Sequence, residues 1–489
     1  MAVDNQNSIS GDTEFPQFTR PFVIGLILIL FLAVICRVIF VTWTDLPRVD
    51  PWRHIQLVDN IRSGAGFTLY ENQPYIWYSP VWHYLAATVA PSNFLQWIAA
   101  VFSLLACLFF TLFLYWRGAD TGGAFAGGFL MACFGPAVAF SCQFGSEGFA
   151  LALLTGSLLL TLRGRGAITA IVSGILFGLC LSTRLHFVFT AFLFFPLFRK
   201  LHRGIAFCTA ATVPVFLHWW RNHEVISNSS FVFTWDGLAT RGDSYNLLSK
   251  LVPQLNADVV DAASSLFIEI FHSGPQWLYD GRYRWEIVIF GLVSILCLIG
   301  SRKISVILSG FSAIIYFIFI DDARSSHFFR IWFIVFPPIF IAVADVTSLY
   351  LKAKPHRRWL AVVAVLLIGL TGILDLRPRG PVSTKAVTLP PDALTETHYL
   401  VNSGFYHPQA FMRRYPDKHF IGMPLHPEDF EDFNTAFPQY RTQLWHRRFN
   451  VQNELLAHLL ASERYSETSL INEIGFPYLV LKEKLTEVD

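Results

Sequence analysis

"PFVIGLILILFLAVICRVIFVTW" (residues 21–43) runs directly into "TDLPRVDPWRHIQLVDNIRSG" (residues 44–64). The first stretch holds an apolar run from Phe22 to Val41, broken only by Arg37. About 20 such residues span the hydrocarbon core of a bilayer as a helix. The second stretch is polar and amphipathic, and it raises the functional question of why an acid, Asp50, sits just beyond the end of a membrane helix.

The whole chain follows that lead. Of 489 residues, 53% are apolar, 16% aromatic and only 15% charged, which fits a polytopic membrane protein better than a soluble enzyme. The net charge of +2 gives no pull toward nucleic acid. Seven cysteines lie in or beside apolar segments, as buried small hydrophobes do, and a disulfide framework is not expected.

About eleven apolar stretches qualify as spans: 21–41, 94–116, 122–141, 147–162, 167–183, 186–198, 204–220, 286–300, 304–320, 330–350 and 358–375. The apolar segment 80–90 reads either as interfacial or as an extension of the second span. Alternate connections are short and basic: Arg117; Arg163 and Arg165; Arg199, Lys200 and Arg203; Arg302 and Lys303; Lys352, Lys354, Arg357 and Arg358. The positive-inside rule makes these cytoplasmic, together with the N-terminal tail 1–20, and puts the C-terminus outside. The expected organisation is a membrane domain over 21–375 with long outer loops at 42–93 and 221–285, then a soluble domain over 376–489. In that last part "HYLVNSGF" and "FPYLVLKEK" read as strands and "RFNVQNELLAHLLASE" as an amphipathic helix, so a small α/β domain is expected.

Arginines on the outer face run against the charge bias. Arg184 ("LCLSTRLHF"), Arg221 ("HWWRNHE"), Arg324 and Arg330 ("DDARSSHFFRIWF", with His327 between) all stand at span ends. One reading is snorkelling, or pairing with Asp321 and Asp322. The other is a shared anionic ligand, because a guanidinium holds phosphate by bidentate hydrogen bonds and stays charged. Arg37 is expected to snorkel outward.

Asp50 also carries two readings. With Pro51 behind it, it can cap the helix that "WRHIQLVDNIRSG" would form along the interface. Alternatively it is a general base that takes a proton from an acceptor hydroxyl attacking a sugar carbon. Asp45, Asp59 and Glu71 are local competitors, and no Ser-His-Asp set, P-loop or zinc motif is present.

Several stretches together resemble the GT-C membrane glycosyltransferases, nearest to protein O-mannosyltransferases and bacterial lipid A aminoarabinose transferases. They are "VDPWRHIQLVDNIRSGAGF" (49–67), "NQPYIWYSPVWHYL" (72–85), "GILFGLCLSTRLHFVF" (174–189), "VPVFLHWWRNHEVISNSSFVF" (213–233) and "HFFRIWFIVFPPIF" (327–340). The resemblance implies an all-α polytopic fold carrying a small α/β extracytoplasmic domain. It also implies inverting transfer of a sugar from a polyprenyl-phosphate carrier, on the outer face of a bacterial inner membrane or of the endoplasmic reticulum. The acceptor (protein, lipid or glycan) is left open. Asp50 then matches the catalytic acid of the first outer loop. Arg221 and Asn222 match an Arg-Asn pair, and Arg330 the arginine opening a late helix. His327 and Arg184 join them as phosphate helpers, and Glu147 in "QFGSEGFAL" matches an acidic residue after serine. The chain departs from the pattern at Pro51, where relatives often carry a second acid, and at His54, which replaces an aromatic. The missing acid argues against a divalent cation, and no other cofactor is implied. Expected partners are the lipid-linked donor and membrane lipids. The rival reading is a transporter or flippase of a lipid-linked anion. It predicts repeated halves and charges at mid-membrane, which the sequence does not display.

Overall fold

The apolar runs become a helical bundle because a backbone with few polar neighbours satisfies its own hydrogen bonds most cheaply as helix. The structure, a computed structural model, describes residues 18–43, 50–70, 73–76, 79–142, 145–163, 166–233, 239–241, 294–319, 335–352, 362–363, 365–366, 369, 388–390, 394–402, 411–412, 414–424, 427–446, 453–462, 464–471 and 477–484.

In chain order the membrane-type helices are α1 (Arg20–Trp43), α4 (Leu95–Trp116), α5 (Thr121–Cys133), α6 (Gly135–Cys142), α7 (Glu147–Arg163), α8 (Ala167–Thr183) and α9 (Leu201–Ser227). Between α4 and α1 come α2 (Asp50–Arg62) and α3 (Pro80–Val89), both in the first loop. Two further helices, Ile304–Phe319 and Phe336–Leu351, pack against the 3₁₀ segment Leu185–Arg199 and against α5. Two helices, Arg20–Thr42 and Leu95–Trp116, are long and apolar enough to cross a membrane; the count of eleven does not follow from the described residues. The expected spans 286–300, 330–350 and 358–375 lie partly outside the described residues, and for two others the reason is length. At 17 residues α7 and α8 are shorter than a full span, about 26 Å at 1.5 Å per residue against a ~30 Å core. The expected span 122–141 is broken at Phe134, whose extended backbone precedes Gly135 and Pro136.

Arg37 corrects the expectation of snorkelling. It is 3% exposed. It donates to Ser103 Oγ (2.9 Å) and to the carbonyls of Ala132 (2.9 Å), Ala33 (3.1 Å), Met131 (3.2 Å) and Ser103 (3.4 Å). The Met131 and Ala132 carbonyls belong to the last turn of α5, which lacks intrahelical donors, so Arg37 staples α1 to the α5 C-terminus. At the far end of the bundle Arg117 Nη1 and Lys303 Nζ converge on Asp345 Oδ1 at 2.7 and 2.8 Å. All seven cysteines are free; Cys208 is exposed and Cys297 half-buried, and the other five are buried as expected.

α8 and α9 lie in backbone contact. A Cβ on Gly174 would meet Phe207 O at 2.3 Å, and one on Gly178 would meet Ala211 O at 2.2 Å. The small residues let two helices approach closely, and their neighbouring C-terminal ends carry Arg184 and Arg221.

The C-terminal part forms a five-stranded mixed sheet in the order His419–Gly422, His398–Val401, Thr442–His446, Pro477–Glu483, Tyr465–Ile471. Its strands are β5 (His398–Val401), β6 (His419–Gly422), β7 (Thr442–His446), β8 (Tyr465–Ile471) and β9 (Pro477–Glu483). β5 is parallel to β6 and β7, and β9 is antiparallel to β7 and β8. Strand periodicity sends alternate residues to two cores. Tyr399, Val401 and Phe420 pack with Ile55, Val58, Trp82 and the helix-top residues Leu95 and Phe149. Leu400, Ile421 and Trp445 pack with Leu57, Phe67, Leu69 and Phe231. Hence α2 is not the interfacial helix its amphipathic pattern implied. It lies between the bundle and the sheet, and its apolar residues serve both cores.

Candidate functional site

α2 begins at Asp50, and one turn on it carries Arg53 and His54, both 0% exposed. The helix ends in a Schellman-type turn: Ala65 N bonds Asn60 O at 2.9 Å, and Gly64 takes φ +87°. Gly66 is also left-handed (φ +78°), which swings the chain into β1 (Thr68–Tyr70) and presents Phe67. Asn60 Nδ2 donates to Thr68 O at 2.7 Å, tying helix to strand. α3 is opened by Ser79, whose Oγ accepts from Val81 N, with Pro80 in the first turn. Arg62 Nη1 donates to Ala87 O (2.9 Å) in the last turn of α3 and so clamps α2 beside it.

This arrangement brings His54 and His83 together. His54 Nδ1 lies 2.7 Å from His83 Nε2, and His83 Nδ1 lies 3.3 Å from the Ser79 carbonyl. A carbonyl only accepts, so His83 carries its proton on Nδ1 and accepts on Nε2; His54 therefore donates from Nδ1. The assignment follows from the hydrogen-bond network. Burial pushes His83 down to about 3. Its bond to Ser79 opposes that shift, while Arg184 and Arg221 add to it. Burial also holds His54 well below the usual histidine range, with His83, Arg184 and Arg53 adding to the shift. Both rings are neutral at pH 7.

A column of planar groups continues from the pair. The His83 ring centroid is 4.9 Å from that of His54 and 5.0 Å from that of Phe67, and the Arg221 guanidinium carbon stands 4.9 Å over Phe67. Arg221 Nη1 donates to Asn222 Oδ1 at 2.9 Å, and Asn222 Nδ2 lies 3.3 Å from His218 Nε2 one turn earlier. Among the described residues Asn222 is the only polar group in hydrogen-bond contact with Arg221. Arg221 is half-buried, so its charge is partly withdrawn from water. Arg184, the C-cap residue of α8, donates from Nη2 to Glu147 Oε1 at 2.5 Å, with side-chain exposures of 13% and 6%. Glu147 opens α7, where a carboxylate also favours the helix N-terminus. Ser146 Oγ beside it is buried and has no hydrogen-bond partner among the described residues.

Of the residues singled out in the sequence, the structure gathers His54, Glu147, Arg184, Arg221 and Asn222 around one end of the bundle. Asp50 heads the adjoining helix; its side chain lies outside the described residues, as do Arg324, His327 and Arg330. Glu147 contacts Arg184, which makes it a partner of the cation. The sequence reading missed Arg53, Phe67 and His83. The signal available for His83 was a second histidine behind a Ser-Pro helix start, but nothing in its spacing pointed to His54. Among the described residues no group of three or more His, Cys, Asp or Glu side chains could hold a metal ion.

No family model matches the sequence, and no curated protein matches it. Among solved structures the chain is similar to the crystal structure of ArnT from Cupriavidus metallidurans bound to undecaprenyl phosphate. The identity is 12% and the TM-score 0.51, over 93% of this chain and 97% of that one. At that distance the likeness speaks for architecture alone: the chain shares the overall fold of that structure.

Proposed function

We propose that the chain is an inverting glycosyltransferase that moves a sugar from a polyprenyl-phosphate carrier to an acceptor at the outer face of a membrane. The observation that carries this reading is Arg221: a half-buried cation held by a neutral amide and an aromatic face, at the helix ends where Arg184 also stands. Such a group is stabilised by an incoming anion, and a lipid phosphate at the bilayer edge is the anion the fold suggests. The ArnT structure, which holds undecaprenyl phosphate, supports the same class.

In this mechanism Asp50 accepts the proton of an acceptor hydroxyl as its oxygen bonds to the anomeric carbon. The carbon–oxygen bond to phosphate breaks, and the polyprenyl phosphate leaves with the electron pair. Arg221 and Arg330, with Arg184 and His327 as helpers, stabilise the growing phosphate charge; Asn222 orients Arg221 and Glu147 orients Arg184. The sheet of residues 388–484 covers α2 from the outer side and holds the base helix in place. The N-terminus is cytoplasmic and the C-terminus lies outside or in the lumen.

The test is transfer by the purified protein from a panel of undecaprenyl- and dolichyl-phosphate sugars to membrane extracts. Wild-type protein consumes at least one donor, and Asp50→Asn slows transfer by about 10²–10⁴-fold while keeping its fold. Consumption by Asp50→Asn at the wild-type rate sinks the base assignment. Donor that crosses vesicle membranes unchanged, with none consumed, favours the transporter.

A further inference from the structure

His83 and Phe67 stand between the two halves of the proposed chemistry. On one side is the first turn of α2, headed by Asp50; on the other is the phosphate cation Arg221. We propose that the chain Ser79–His83–His54, together with the Phe67 ring, is a positioning device that sets the gap between the start of α2 and Arg221. This rests on the transferase reading above.

His54 lies one helical turn after Asp50, so fixing the His54 ring fixes the turn that carries the base. The ring is fixed by a hydrogen bond with a single allowed direction. The Ser79 carbonyl dictates the His83 tautomer, and His83 dictates that of His54. Ser79 is itself buried and opens α3, so the chain ends on rigid backbone rather than on a mobile side chain. Phe67 then spaces the His83 ring from the Arg221 guanidinium through two contacts near 5 Å. Two left-handed glycines hold Phe67 where it is. The network puts the proton of His54 on Nδ1 and makes Nε2 the acceptor nitrogen.

Arg53 and Arg184 face His54, and Arg184 and Arg221 face His83. Burial first, and these cations in addition, keep the pair uncharged, so the one-way hydrogen bond persists at neutral pH. Glu147, the carboxylate on the neighbouring helix, is engaged by Arg184.

A device of this kind acts on alignment in the transition state more than on donor affinity, since a displacement of about 1 Å can cost 10²-fold in rate. The test has two arms. In the first, nitrogen chemical shifts of the wild-type protein in nanodiscs at pH 7 report the tautomers. A pyridine-type Nε2 and pyrrole-type Nδ1 on His54 support the lock; the reverse overturns it whatever the activity. The second arm is kinetic. His83→Gln keeps an acceptor for His54 and retains kcat within about threefold. His83→Leu, and His83→Lys, which can only donate, lower kcat by about 10- to 100-fold while KM changes less than threefold. Phe67→Leu lowers kcat by about tenfold. Wild-type kcat in His83→Leu, equal activity of the Lys and Gln variants, or a loss confined to KM each overturn the proposal. A wild-type protein that consumes no donor overturns the transferase reading and this role with it.

Discussion

Arg37 and Arg221 are guanidinium groups on helices of one bundle, the first buried and the second half-buried, and they are held in opposite ways. Arg37 has five hydrogen bonds, to a serine and to carbonyls, including the last turn of α5. Arg221 has one neutral amide and a phenyl face. The first cation is satisfied by the fold and works as a staple. The second is partly desolvated without a matching anion among the described residues, which suits a site for an anionic ligand. Position near a membrane boundary does not distinguish the two, whereas the set of acceptors around each does.

The sharpest way to break this comparison is to remove each cation and compare stability with activity. Arg37→Ala leaves buried carbonyls without donors and is expected to lower stability by about 3–4 kcal/mol, seen as a large fall in Tm in detergent. Arg221→Ala is expected to leave Tm near wild type and to lower kcat by about 10²-fold. Arg221→Lys should recover only part of that, because the bidentate fork is lost. If Arg221→Ala unfolds the protein and Arg37→Ala does not, the comparison is reversed. Gly178→Ala sharpens it from the side of geometry. Its Cβ would sit 2.2 Å from Ala211 O, so α8 and α9 must part, moving Arg184 and Arg221 relative to each other. A loss of about 1–3 kcal/mol of stability is expected, with a drop in transfer larger than the stability loss explains.

The smallest effect is on pH. The fold holds His83 at about 3 and His54 well below its usual value, chiefly by burial. In the unfolded chain each takes a proton below about 6.5. The unfolded state thus binds more protons in acid, so stability is full above that pH and declines as pH falls toward 3. Wild-type Tm is expected to fall on acidification through this window, and His83→Gln to flatten the curve. An unchanged slope in that variant would show the pair is not the source.

Much of the architecture was legible because hydrophobic periodicity is a local property. The runs at 21–41, 94–116 and 167–183 reappear as α1, α4 and α8, and "HYLVNSGF" and "FPYLVLKEK" contain β5 and β9. The errors have particular causes. α2 looked interfacial because an amphipathic pattern shows that a face is buried without saying against what. Its partner was a sheet more than 300 residues away in sequence. Arg37 looked like a snorkelling anchor because a sequence does not show which carbonyls lie open one helix away.

The sequence by itself determined that this chain is a bundle of apolar helices with a mixed α/β tail, and that arginines cluster at helix ends where a bilayer disfavours them. Those properties depend on residues one turn or one strand apart. Only the tertiary structure decided which arginine is a staple and which is poised for a ligand, and that His54 meets His83. A hydrogen bond joining residues 29 positions apart is set by how α2 and α3 are clamped together, through Arg62 and Ala87, and not by any local pattern.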